Sequence, residues 1–178
     1  MTPRVVLRPP VEDDRAEFLE RLADSADLHD PWLEPAEPAA WFERLLARNT
    51  PDSNHRSLLV CEAADGSIAG VMNLSQIVMG PLRSAFLGYY AFHPLAGHGY
   101  MRAAMPLLVR YAFDDLGLHR LQANVQPENA ASIALVRGAG FRREGFSPRY
   151  LFIRGAWRDH EQWAVLADDD PRPGGSGA

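Results

Sequence analysis

Residues 84–117, SAFLGYYAFHPLAGHGYMRAAMPLLVRYAFDDLG, change hydrophobic period part-way along, and that change decides the fold. Ser84 to His93 is rich in aromatic and aliphatic residues, as a pleated, largely buried strand requires, and Pro94 stops it. Gly97 and Gly99 then bracket His98. From Tyr100 the residues Met101, Met105, Leu108, Val109, Ala112, Phe113 and Leu116 recur at three- and four-residue steps, one stripe of a helix. Gly117 follows, where a helix end takes a residue tolerant of positive φ. Pro106 lies inside the stripe and cannot donate to the carbonyl of Arg102, so either the helix bends there or its regular part begins late.

A strand, a glycine turn and a helix in that order aim several unpaired N–H groups at one spot, at the positive end of a helix dipole. Such a spot holds phosphate, and glycines there let the ligand approach the amides closely. A plain tight turn is the competing reading of Gly-x-Gly. Two familiar phosphate loops are excluded: Arg102 occupies the third glycine position of Gly-x-Gly-x-x-Gly, and a Walker loop needs a lysine, which this chain lacks altogether.

Upstream, Arg4 to Arg8 reads as a short strand, and Glu12, Asp13 and Asp14 form the acidic start of a helix with Phe18, Leu19 and Leu22 on its inner face. Asp30 to Pro38 is proline-punctuated loop; Trp41, Phe42, Leu45 and Leu46 mark a second helix. Ser57 to Ala63 and Ile68 to Val78 are strands joined by an Asp65-Gly66 turn. Downstream come a strand at Arg120 to Gln126, a helix at Asn129 to Arg137 capped by Asn129, a strand from Phe141, and a hairpin of Tyr150 to Ile153 with Trp157 to Leu166. The order predicts one mixed α+β domain over 1–167. Residues 168–178, acidic and then Pro/Gly/Ser-rich, are expected to form a disordered tail.

Net charge of −5 over 178 residues leaves no general nucleic-acid footprint. The lone Cys61 in an apolar run reads as a reduced core residue and points to a cytoplasmic location. Met1 to Arg8 lacks the apolar region of a signal peptide, and no apolar run reaches the length of a membrane span. His93, His98 and His160 lack metal-ligand spacing, so no metal is expected, while His29, His55 and His119 read as surface or turn residues.

Four stretches carry a family resemblance. The turn Ala96-Gly97-His98-Gly99-Tyr100-Met101 is similar to the acyl-CoA turn of GNAT acetyltransferases, Gln/Arg-x-x-Gly-x-Gly/Ala, keeping the central glycine but departing from it at Ala96 and Met101. Pro127 to Phe141 (PENAASIALVRGAGF) resembles the second CoA-side motif of those enzymes, Asn-x-x-Ser followed by Gly-Phe. Glu144 to His160 (EGFSPRYLFIRGAWRDH) looks like the closing hairpin of the RimJ/RimL subgroup, and Asp30 to Pro35 (DPWLEP) like its Pro-Trp-Glu-Pro loop. The resemblance spans Arg4 to about Leu166.

It implies a GNAT fold: a mostly antiparallel sheet of about seven strands splayed at the centre, with helices on both faces. It also implies acetyl-CoA as co-substrate and an amine acceptor, either a peptide N-terminus of the ribosomal-protein type or a small molecule, in a monomer or homodimer. By position, the amides of Gly97, His98, Gly99, Tyr100, Met101 and Arg102 are expected to hold the pyrophosphate. The strand edge at Ala91, Phe92 and His93 is expected to pair with pantetheine, and Asn129 to bond the pantetheine arm. Many relatives protonate the departing thiolate with a tyrosine in the second motif; Leu135-Val136 stands there, which leaves Ser132. Where some relatives place a glutamate base this chain has Ser84, so the base stays open among Glu34, Asp159, His160 and water.

Overall fold

A computed structural model describes residues 2–33 and 37–169. The chain folds as β1 (Val5–Arg8), a 3-10 turn (Glu12–Asp14), α1 (Arg15–Asp24), α2 (Ala26–His29) and α3 (Pro38–Ala47). β2 (Arg56–Glu62), β3 (Ile68–Val78) and β4 (Ser84–Ala91) follow, then α4 (Tyr100–Arg110), β5 (Arg120–Val125), α5 (Ala130–Gly138), β6 (Arg142–Ile153) and β7 (Ala156–Leu166). The seven strands lie in one sheet of order β1-β2-β3-β4-β5-β7-β6. Every neighbouring pair is antiparallel except β4 with β5. The expected mixed, mostly antiparallel seven-stranded sheet is present.

Strand alternation divides the core into two layers. Leu58, Val60, Met72, Ala85 and Leu87 pack under α4 and α5, with Met105, Leu108 and Val136 opposite them. Leu59, Cys61, Ile68, Val71 and Phe92 face the other way, onto Phe18 and Leu22 of α1 and Phe42 and Leu45 of α3. Phe18 anchors that second layer, its ring 5.0 Å from Phe42 and 5.5 Å edge-on from Phe92. Cys61 is buried and its thiol is pushed up by burial, as an inert core residue.

Pro106 does not delay α4, which is helical from Tyr100 with the proline on its exposed side. After Arg110 the helix widens into a π-turn, Tyr111–Asp115, closed by Leu116 N–H donating to Tyr111 O. The two strands predicted on either side of Tyr150 are one strand, β6, interrupted where its register against β7 shifts between Ser147 and Leu151. Ala167–Asp169 forms a 3-10 turn in which the Asp169 carboxylate accepts from Arg142; the rest of the expected tail, 170–178, lies outside the described residues. Among the described residues no helix is long and apolar enough to cross a membrane.

Candidate active site

The parallel pairing of β4 and β5 runs from Ser84–Arg120 to Leu87–Ala123 and then stops. β4 continues to Ala91 beside β3 alone, and β5 continues to Val125 beside β7. Between the diverging ends lies a cleft of about 580 Å³. Its walls are the start of α4, the end of β4 with the first turns of α5, and α2 with the loop after it.

Gly97 and Gly99 have φ of 82° and 90°, left-handed values that glycine adopts without strain. Gly99 is the N-cap of α4 and offers no side chain to its first turn. Among the described residues the N–H groups of Gly97, Gly99, Tyr100, Met101 and Arg102 meet no protein acceptor, and all five residues line the cleft. The first helical bond of α4 is Ala103 N–H to Gly99 O. Unspent amides at a helix start are an anion site, and the exposed Arg102 guanidinium beside them forms no ion pair among the described residues. His98 departs from expectation: its N–H goes to Leu95 O, and its exposed ring folds back with Nδ1 3.0 Å from Ala96 O.

The strand edge is narrower than expected. Phe92 donates its N–H to Ala69 O and accepts Ala96 N–H at its carbonyl, and its ring is fully buried. His93 donates its N–H to Ser25 Oγ at 2.9 Å and its carbonyl accepts from Arg21. The N–H groups of both residues are therefore spent inside the fold, while each carbonyl keeps a second lone pair. Ala91 differs, because alternation turns its N–H and C=O away from β3 and toward the opening. Its carbonyl already accepts one bond, from His29 Nε2 at 2.8 Å, and has a second lone pair.

Across the cleft, Asn129 caps α5, its Oδ1 accepting from Ser132 N–H at 3.0 Å. Ser132 is half-buried and lines the cleft one turn into that helix. Its Oγ lies 2.5 Å from the hydroxyl of Tyr89, which projects from β4 on the face of Ala85 and Leu87. Burial, only partly offset by that bond, pushes the Tyr89 phenol up to about 12. The sequence reading passed over Tyr89. The available signal was alternation, since Tyr89 shares its parity with two core residues and sits just beyond the last paired position.

The three candidate bases fare differently. Glu34 lies outside the described residues. Asp159 is exposed on β7 and its carboxylate accepts from Arg149 N–H at 2.7 Å. His160 is 3% exposed and Nδ1 donates to Arg158 O at 3.0 Å. An odd step along β7 separates it from Trp163 and Val165, which pack under α4 and α5, so its ring turns to the opposite face and does not line the cleft. In its place the structure brings His29, expected at the surface, to the cleft wall. Burial lowers its pKa, against a weaker upward pull from the Ala91 bond, and its ring stands edge-on to Tyr90 with centroids 5.5 Å apart.

A family described as an acetyltransferase (GNAT) domain matches residues 4–142. The [ribosomal protein uS5]-alanine N-acetyltransferase of Escherichia coli is 30% identical over 176 residues, covering 94% of this chain and 90% of that one. The structure of Mycobacterium smegmatis RimJ in complex with CoA-disulfide superposes with a TM-score of 0.85 at 31% identity, over 94% of this chain and 84% of that one. Spermidine N-acetyltransferase from Vibrio cholerae, in complex with CoA and spermine, superposes with a TM-score of 0.79 at 25% identity, over 93% and 96%.

Proposed function

The chain belongs to the GNAT acetyltransferase family and is an acyl-CoA-dependent N-acetyltransferase, and we propose that the amine it acetylates is the N-terminal α-amine of a protein, of the ribosomal-protein type. What supports the reading is the make-up of the cleft. One wall offers unspent amides and a cation suited to a diphosphate. The wall formed by α2 and the loop after it offers Leu28, His29, Trp32 and Leu33, and no carboxylate stands among the described lining residues. A polyamine carries several positive charges and calls for several carboxylates; a chain terminus carries one.

The acid–base chemistry points the same way. An α-amine with a pKa near ~8 is about a tenth neutral at pH 7, whereas a lysine near ~10.4 is neutral in well under ~0.1% of molecules. The α-amine is thus the acceptor that depends least on a general base. The neutral nitrogen attacks the thioester carbonyl of acetyl-CoA in a ternary complex, and holding both reactants in the splay supplies roughly 7–11 kcal/mol of the barrier. Backbone N–H groups at the open edge of β4 stabilise the developing oxyanion. Asn129 binds the pantetheine arm and the Ser132 hydroxyl protonates the departing thiolate.

The test is turnover of acetyl-CoA, read as free thiol, with peptides bearing free or blocked N-termini, spermidine, and a blocked peptide containing lysine. Thiol release confined to free N-termini is the expected result. Preference for spermidine would replace the acceptor by a small-molecule amine, and efficient lysine acetylation would overturn the pKa argument.

A further inference from the structure

Tyr89 lines the cleft, yet the chemistry above leaves its hydroxyl without a task. It stands 2.5 Å from Ser132 Oγ and 3.3 Å from the Ser132 carbonyl. Tyrosine has one proton to donate, and two arrangements satisfy these distances. In one, Ser132 donates to Tyr89, and Tyr89 donates to the carbonyl over the longer distance. In the other, Tyr89 donates to Oγ over the short distance, and the serine proton is left pointing elsewhere. Only the second offers a hydroxyl hydrogen to a ligand in the cleft.

We propose that Tyr89 is a positioning residue for acetyl transfer: its hydroxyl donates to Ser132 Oγ and so turns the serine proton toward the sulfur of bound acetyl-CoA. The inference rests on the reading of Ser132 as the group that protonates the thiolate. As the C–N bond forms and the C–S bond breaks, the electron pair stays on sulfur and the Ser132 proton moves to it. The proton shed by nitrogen on becoming an amide returns to Ser132 through water in the cleft. Tyr89 keeps its own proton throughout, because burial disfavours the phenolate. Without the phenol oxygen, a serine in the first turns of a helix bonds back to a carbonyl of the preceding turn, and its hydrogen leaves the cleft.

The experiment compares wild type, Tyr89→Phe, Ser132→Ala and the double variant, with calorimetric CoA affinity and thermal midpoint measured for each. Tyr89→Phe is expected to lower kcat about tenfold or more while the KM for acetyl-CoA stays within about twofold, and to cost nothing further on top of Ser132→Ala. A wild-type rate for Tyr89→Phe, or the same loss in both backgrounds, would overturn the proposal, the second result marking a purely structural tyrosine. A second readout does not depend on turnover. In protein carrying 13C-labelled tyrosine rings, the Tyr89 resonance, identified by its loss in Tyr89→Phe, is expected to shift in Ser132→Ala and on adding CoA to wild type. If no amine is acetylated the proposed function fails by itself; a Tyr89 resonance that CoA leaves unmoved sinks the positioning role.

Discussion

His29 carries its proton on Nε2, because the Ala91 carbonyl 2.8 Å away can only accept, and this leaves Nδ1 as the unprotonated nitrogen of the neutral ring. Burial holds its pKa below the ordinary 6.5, with His93 pulling the same way and Asp27 opposing. Burial likewise lowers His160, against upward pulls from its Arg158 bond, Asp159 and Glu128. A histidine with a depressed folded pKa binds its proton more weakly than the unfolded chain does. Its contribution is thus fully present above about 6.5 and is lost as pH falls through the folded value. Urea midpoints should be lower at pH 5.5 than at 7.5. His29→Gln with His160→Asn, which keep the donors at Nε2 and Nδ1 without titrating, should narrow the gap; an unchanged gap would place the titration elsewhere. Neither ring could be placed from sequence. Spacing showed that six histidines make no metal motif, but which one reaches a cleft depends on α2 docking against β4, a contact between residues far apart in the chain.

Each wall of the cleft is an element whose register can be tested. Gly70 on β3 lies opposite Ala91, and a Cβ there would meet Tyr90 O at 2.5 Å and Met101 Sδ at 2.8 Å. Gly70→Ala should cost about 1–3 kcal/mol of stability and weaken CoA binding, since Met101 belongs to the first turn of α4. Asn129 serves α5 in one way and the ligand, on the proposed reading, in another. Asn129→Ala should lose about 1 kcal/mol with the cap, whereas Asn129→Asp should keep the cap, and with it the thermal midpoint, while losing the amide donor to pantetheine and hence CoA affinity. Equal affinity in Asn129→Asp would show that the side chain only caps. These elements were legible in advance because each is announced locally. The period change at Tyr100, Asn129 before an apolar run and Asp65-Gly66 between strands all declare themselves within a few residues. Pro106 was ambiguous for the same reason: on the exposed side of α4 it loses one bond without stopping the helix, and exposure is settled by packing.

At the scale of the whole molecule, function follows from where one sheet fails to stay paired. Among the described residues β4 and β5 are the only parallel neighbours, they part after Leu87 and Ala123, and the helices following each strand begin at the gap. One start supplies bare amides, the other Asn129 and Ser132. The sequence named both helix starts. It could not say that Tyr89 would face Ser132, nor that the N–H groups of Phe92 and His93 would be spent within the fold, because both depend on how the strands pack and diverge. The most direct test of the account is a titration of 15N-labelled protein with CoA, followed by amide resonances. Saturable shifts at Gly97, Gly99, Tyr100, Met101 and Arg102, with His98 the least moved of the turn, are the predicted result. Binding that leaves those five amides in place, or no binding at all, would contradict it.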